Sequence, residues 1–308
     1  MTSPADDARE RWHARVSLAS VPADEIETTD CPICGSDARR FLFEERGYPV
    51  HKCRDCSHVY VSPRPSEAWL ADVYADAYLP ESENAWEGDR STVDVATARA
   101  LTRYNPQRGD LLDVGAGFGG VLVHAAKDGW RVHGIEPNRK AFEVARQRLG
   151  ADADLRQTIF EDVDLPAGSF DCVLMVNVIE HVRDPVALCR RAHELLRPGG
   201  CLALRWPQAL FQTRLLYNLK LQKQPPRICL SAPIHLHEFT RASMERLYRE
   251  VGFTRIRHVW GGMRSFASLA LWRRIGAVSM MAGVRTFQAA TCGRRLVPIY
   301  SKLTVGRK

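Results

Sequence analysis

Four cysteines stand in two pairs, Cys31-Pro-Ile-Cys34 and Cys53-Arg-Asp-Cys56, with 18 residues between the pairs. Each CxxC can bring two thiolates onto one tight turn. Two such turns at this spacing supply the four tetrahedral ligands of a closed structural Zn²⁺ site. Gly35 follows the first pair, where a left-handed turn suits a metal knuckle, and Ser57 holds the same place after the second. His51 and His58 flank the second pair as substitute ligands. A segment of about 30 residues has too little core to fold alone, so the metal would supply folding free energy and little chemistry.

The second chemical group is Leu111-Leu-Asp-Val-Gly-Ala-Gly-Phe-Gly-Gly120, an apolar run that enters a glycine turn and then a helix from Val121 to Lys127. The next apolar run, Arg131-Val-His-Gly-Ile-Glu136, ends in a carboxylate. Strand, glycine turn, helix, strand and acid make a βαβ nucleotide site. The glycines let a ligand approach the backbone closely, and the acid accepts two ribose hydroxyls. Gly115, Gly117 and Gly120 also satisfy the GxGxxG of dinucleotide enzymes, but Asp113 occupies a position that is usually apolar in that fingerprint.

Positioning these groups requires a domain-sized frame, and 308 residues with 45% hydrophobic content provide roughly two domains. The pattern divides into an N-terminal lead (1–28), a zinc ribbon (29–64), a helical lid or connector (65–105), an α/β domain (106–273) interrupted by an acceptor-side insertion (206–240), and a basic amphipathic tail (274–308). Trp69, Leu70, Val73, Tyr74 and Tyr78 fall at helical spacings within the connector.

The net charge of +7 hides a division, since residues 1–210 carry a net −8 and residues 211–308 a net +15. No carboxylate follows Glu250. Such asymmetry points to an anionic acceptor, carrier or membrane face near the basic part. The N-terminal segment lacks the apolar core of a signal peptide, and no uncharged stretch approaches the roughly 18 residues of a membrane span. Nine cysteines, an odd number, argue for reduced thiols. The expected location is the cytoplasm, with peripheral contact at the inner membrane face as an option for the tail.

Farther along come Phe160-Glu-Asp162, the run Phe170-Asp-Cys-Val-Leu-Met-Val-Asn-Val-Ile-Glu-His-Val182, a helix from Asp184 to Leu196, Arg197-Pro-Gly-Gly200 and a strand from Cys201 to Arg205. In this order the motifs resemble class I S-adenosylmethionine-dependent methyltransferases, specifically the group with an N-terminal zinc ribbon. The resemblance runs from about Cys31 to about Trp260 and includes Pro233-Ile-His-Leu-His-Glu-Phe239. It implies a Rossmann-like, seven-stranded sheet, mostly parallel with an antiparallel last strand. Phe253–Trp260 and Phe266–Trp272 are the expected final pair.

Carried onto this sequence, the resemblance implies that Gly115, Gly117 and Gly119 face the methionine part of the cofactor, with Asp113 at the end of the first strand. Glu136 would bind the ribose and Asp162 the adenine amino group, and Asn177 would lie beside the cofactor. Cys31, Cys34, Cys53 and Cys56 would hold structural zinc. His181, His235 and His237 are the candidate bases, since an imidazole titrates near neutrality. Some quinone-biosynthesis O-methyltransferases use acidic and histidine side chains near Val178-Ile-Glu-His181 for a divalent cation, but here Asn177 replaces one expected acid.

The function expected is methyl transfer to a hydroxyl, carbon or nitrogen of a small-molecule acceptor, such as a sugar, quinone, polyketide or lipid-linked intermediate. The alternatives are an RNA methyltransferase that grips phosphates with ribbon and tail, and a nonenzymatic zinc-ribbon binding module. Phe287 and Tyr300 give the tail few aromatics for base stacking, which disfavours RNA.

Overall fold

The computed structural model describes residues 14–70, 83–207, 230–260 and 302–308. The chain forms two compact units. One gathers the described residues of Met1–Glu81, Ile179–Ala187 and Ala209–Glu250; the other those of Ser82–Val178, Leu188–Gln208 and Val251–Lys308.

The second unit is built on a seven-stranded sheet: β1 (Asp110–Val114), β2 (Arg131–Ile135), β3 (Asp154–Arg156), β4 (Phe170–Val176), β5 (Leu196–Trp206), β6 (Thr254–Trp260) and β7 (Lys302–Arg307). Its order is β6-β7-β5-β4-β1-β2-β3. The pairs from β5 through β4, β1 and β2 to β3 are parallel, while β7 runs antiparallel to both β5 and β6. Every residue of β1 is buried, which a continuous apolar run permits when both sheet faces are covered. Helices α1 (Glu83–Tyr104), α2 (Gly120–Lys127), α3 (Arg139–Leu149) and α4 (Pro185–Leu195) from Leu188 on belong to this unit, while α5 (Arg241–Val251) belongs up to Glu250 to the first. One core cluster joins Ala98 and Leu101 of α1 to Leu111, Leu122, Trp130, Leu174, Ala203, Leu303 and Val305.

The antiparallel strand is present as expected, but its location corrects the sequence reading. Phe266–Trp272 lies outside the described residues, and the strand beside β5 comes from the chain end, within the stretch read as a separate tail. Leu303 and Val305 alternate into the core, whereas Thr304 on the other face accepts from Trp206 Nε1 at 3.0 Å and bonds His258 Nδ1 at 2.9 Å. The cations that disguised this strand serve the fold. Arg307 donates to Asn105 Oδ1 (2.6 Å), to Gly199 O (2.9 Å) and to Tyr104 O at the carboxyl end of α1. Lys308 Nζ donates to His193 O (2.7 Å) and Leu196 O (2.8 Å) as α4 ends, and Lys302 Nζ stands 5.7 Å from the Trp206 ring centroid. Cations at helix carboxyl ends satisfy last-turn carbonyls and complement the dipole. The rest of the tail, most of the insertion and Val73, Tyr74 and Tyr78 fall outside the described residues.

The first unit corrects the domain division as well. Its antiparallel sheet runs His237–Glu238, Val59–Val61, Tyr48–Cys53, Arg39–Glu45. Arg46 and Gly47 turn the hairpin with φ of 51° and 82°, the two left-handed residues that a tight turn between twisted strands requires. Two residues far along the chain, His237 and Glu238, thus extend the sheet that holds Cys53. Glu45 reinforces this, accepting from Leu230 N–H at 3.0 Å and Ser231 N–H at 3.1 Å. Conversely, α1, read as a lid or connector, belongs to the sheet unit and packs on α2. Among the described residues no helix is long and apolar enough to cross a membrane.

Because β7 is buried between two strands, Val305→Asp should cost on the order of 3 kcal/mol by forcing an unpaired charge into the sheet. Urea unfolding measures this, and an unchanged midpoint would remove β7 from the core.

Candidate functional site

The carboxyl ends of β1, β2 and β4 gather most of the residues expected to bind a nucleotide. Gly115 has φ +73°, and a Cβ there would stand 2.6 Å from Val178 Cγ2; Gly117 has φ +55° and open space where a Cβ would project. A side chain at Gly115 would collide, and one at Gly117 would fill the cradle. The loop folds back because Ile135 O accepts N–H groups from Gly115 (2.8 Å) and Ala116 (3.0 Å). The following residue locks it: Glu136 Oε2 accepts from Gly117 N–H at 2.7 Å and Oε1 from Asn138 N–H at 2.9 Å. Asn138 in turn caps α3, its Oδ1 accepting from Ala141 N–H at 3.1 Å. Burial raises the Glu136 pKa, and the two N–H groups oppose that shift. Each of its oxygens retains accepting capacity for a hydroxyl.

Asp113, 2% exposed, has an Oδ1 with no hydrogen-bond partner among the described residues. Burial pushes its pKa well above the ordinary carboxylate value, and the charges of Asp94 and Glu136 add to the shift. Gly119 is the left-handed residue before α2. Asn177, just past β4, also has positive φ (54°); its N–H donates to Arg205 O at 2.9 Å, and its buried Oδ1 has no partner among the described residues. Asp162 is exposed on the turn after β3. Two neighbours escaped the sequence reading. Asp94 reaches the loop from α1, where a Cβ on Gly120 would run into its Oδ2. Ile159, three residues before Asp162, is 44% exposed, an apolar surface of the kind a flat ring packs against. A lone acid in a polar helix and a lone isoleucine carry no motif.

In the first unit the four cysteines converge. Cys31 Sγ and Cys56 Sγ are 3.4 Å apart, Cys34 Sγ and Cys53 Sγ 3.6 Å, and all four lie within 4.8 Å of one another. A tetrahedral site with metal–sulfur bonds of about 2.3 Å has sulfur–sulfur edges of roughly 3.8 Å, so the set fits an ion. Gly35 (φ +70°) and Ser57 (φ +62°) both take the left-handed conformation after their pairs.

The three candidate bases separate. His237 is 1% exposed and has both ring nitrogens engaged, Nε2 with Val182 O at 2.7 Å and Nδ1 with His58 Nε2 at 3.1 Å. A carbonyl only accepts, so Nε2 carries the proton, and Nδ1 accepts from His58 when both rings are neutral. His237 is therefore a structural link, contrary to its expected candidacy. His181 and His235 instead meet edge to face with centroids 4.7 Å apart, and together with Glu180 they bring ligand atoms within 4.8 Å of one another. His181 Nδ1–H donates to Ile234 O at 3.0 Å, so Nε2 is the accepting nitrogen of the ring, 4.0 Å from Glu180 Oε1. Burial lowers the His181 pKa to about 4, with the Ile234 carbonyl opposing. His235 falls to about 3 through burial and the charge of His181.

These depressed values set the pH response. His58 lies well below 6.5 through burial and the charge of His237, and burial takes His237 to about 3. The unfolded chain binds protons below about pH 6.5 that the folded histidines refuse, so their contribution is complete above that pH and declines as pH falls toward 3. The melting temperature should drop between pH 7.5 and 5.5, and less steeply in His58→Leu. Equal slopes for both proteins would exclude the buried pair as a source.

Residues 86–258 match the family model described as a methyltransferase domain. A ubiquinone biosynthesis O-methyltransferase of Methylocella silvestris is 38% identical over 95 residues, 30% of this chain and 37% of that protein. A dimethylglycine N-methyltransferase of Parasynechococcus marenigrum is 38% identical over 147 residues, 45% of this chain and 51% of that protein. The alignments thus span about half or less of these relatives' lengths. The crystal structure of the Burkholderia thailandensis 1,6-didemethyltoxoflavin-N1-methyltransferase, with its substrate and S-adenosylhomocysteine bound, covers 87% of this chain and 99% of that one with a TM-score of 0.51 at 15% identity, a likeness of fold. With the matched segment spanning more than half of its length and enclosing the glycine loop, Glu136 and Asn177, the chain belongs to the methyltransferase-domain family.

Proposed function

We propose that the protein transfers a methyl group from S-adenosylmethionine to a hydroxyl or amine of a small-molecule acceptor. The observation that carries this reading is the glycine cradle latched by Glu136, with the orphaned Asp113 oxygen beside it. The residues fit the cofactor: Gly117 leaves room for close backbone approach, and Glu136 keeps accepting capacity for ribose hydroxyls. Asp113 offers a buried acceptor toward the methionyl part. Ile159 gives the adenine an apolar wall, and Asp162 sits three residues on for its amino group. When bound, the cofactor supplies a methyl already activated by its sulfonium.

What remains for the chain is to orient the acceptor and remove its proton. His181 suits this task. Its Nδ1–H is committed to Ile234 O, so the accepting nitrogen is fixed as Nε2, and its lowered pKa keeps the ring neutral at physiological pH. Glu180, at 4.0 Å, stabilises the imidazolium formed as the proton arrives. His235, packed edge to face on His181, holds the ring plane. The four cysteines hold structural zinc, which stabilises the strands of the first unit.

Titration calorimetry with S-adenosylmethionine tests the reading: the wild type should bind, and Glu136→Ala should lose at least about tenfold in affinity. No heat of binding in the wild type would overturn it. For a methylated acceptor, His181→Ala should lower kcat by about a hundredfold with cofactor affinity retained. Metal analysis should find one zinc per chain, lost in Cys31→Ser together with thermal stability; a metal-free wild type of full stability would overturn the zinc assignment.

A further inference from the structure

We propose that Cys34 is a modification site, a peroxide-reactive thiolate whose oxidation joins it to Cys53 and releases the metal; this rests on the zinc reading. The four cysteines of the cluster differ in access. Cys31 and Cys53 are 2% and 1% exposed and Cys56 is 8% exposed, whereas Cys34 is half-buried. Among the described residues a cavity of about 410 Å³ reaches the cluster, and its walls include Cys34, Asp55, Cys56, Ala242, Arg246 and Arg249. Reactive thiolates occupy partly exposed, cation-lined places of this kind, while deeply buried ones are inert. Arg246 and Arg249 pair with Glu250 and Glu245 at 2.9 Å each. A guanidinium carries five N–H donors, so one ion pair leaves others for an oxygen anion formed in the cavity.

The co-reactant is a hydroperoxide small enough to enter the cavity. The Cys34 sulfur attacks one peroxide oxygen, the O–O bond breaks, and the electron pair leaves with the other oxygen as hydroxide; sulfur is oxidised by two electrons to a sulfenic acid. Cys53 Sγ stands 3.6 Å from Cys34 Sγ. Its thiolate attacks the Cys34 sulfur, the S–S bond forms, the S–O bond breaks and a second hydroxide leaves. Both hydroxides take protons from water. Zinc thereby loses two of its four ligands, and the site opens. Cys56, on the same wall, has Cys31 Sγ at 3.4 Å and follows in the same way. Each wall cysteine thus has its partner in the opposite CxxC pair. Proximity alone does not select these thiols: Cys172 Sγ and Cys201 Sγ in the other unit are also 3.4 Å apart, but both residues are fully buried.

The test treats the zinc-loaded full chain with hydrogen peroxide, follows released zinc with a chromophoric chelator, and maps disulfides by mass spectrometry after alkylation. The first disulfide should be Cys34–Cys53, formed in step with zinc release, while Cys172 and Cys201 stay reduced. Ala242→Trp places a bulky side chain on the cavity wall at an exposed helix position. It should keep its zinc and slow both disulfide formation and zinc release by about tenfold. A first disulfide within either CxxC pair or between Cys172 and Cys201, zinc retained after oxidation, or equal rates in wild type and Ala242→Trp would each overturn the proposal. The wild-type disulfide map decides by itself should Ala242→Trp fail to fold. A wild type that binds no zinc refutes the zinc reading and this proposal with it, whereas zinc-loaded protein with the wrong first disulfide refutes this proposal alone.

Discussion

Glu136 spends its two carboxylate oxygens on the backbone around it, one on Gly117 N–H and one on Asn138 N–H. That pair of bonds closes the glycine loop against β2 and sets the entry of α3, so the carboxyl end of the sheet depends on one side chain. Folding a carboxylate into a buried corner raises its pKa. The two N–H donors offset part of that cost by favouring the charged form. The geometry of the loop is thus set by these two bonds within the chain itself. Preorganisation of this kind avoids ordering the loop on binding. Among the described residues of the unit, the buried side-chain oxygens without a partner are those of Asp113 and Asn177.

The other end of the sheet is held by opposite charges. Asp110 bonds Arg131 through Nε at 2.8 Å and Nη2 at 2.6 Å, and lies 2.9 Å from Arg197 Nη1. Asp171 accepts from Asp110 N–H at 2.8 Å and also from Arg197. These contacts tie β1, β2, β4 and the start of β5 at their amino ends, and the arginines hold Asp110 below the usual carboxylate range against the opposing effect of burial. The acid at the amino ends is paired with arginines, whereas at the carboxyl ends Asp113 Oδ1 has no hydrogen-bond partner among the described residues, so the two ends of the sheet differ in how their charge is compensated.

Local chemistry was legible in the sequence. The glycine turn, Glu136 and the four cysteines lie in short segments whose residue types have few other uses, and the strands around them are apolar runs bounded by turns. Long-range partnerships were not legible. His237–Glu238 is a two-residue strand, too short for any periodicity, and only the ladder with Val59–Val61 makes it one. Lys302–Arg307 alternates as a strand should, but basic residues at both ends and an acid-free context made it look like a solvated tail. Asp94 could be placed beside the glycine loop only after α1 was seen against β1. In each case the missing information was the identity of a residue far away in the chain.

The same ladder gives the cysteine cluster a consequence beyond its own turns. Val59–Val61 follows the second cysteine pair by two residues and pairs with His237–Glu238; His237 then bonds Val182 O, and the neighbouring Leu236 N–H donates to Glu180 O at 2.8 Å. Glu180 and His181 are adjacent in the chain, and His181 bonds Ile234 O. From the cysteines to the proposed base there is an unbroken run of hydrogen bonds and short chain segments within one unit. A metal that folds the cysteine turns would therefore also fix the carbonyls that orient His181. The cysteine turns need not touch His181 to matter there, because an imidazole that presents one nitrogen depends on the carbonyl holding the other.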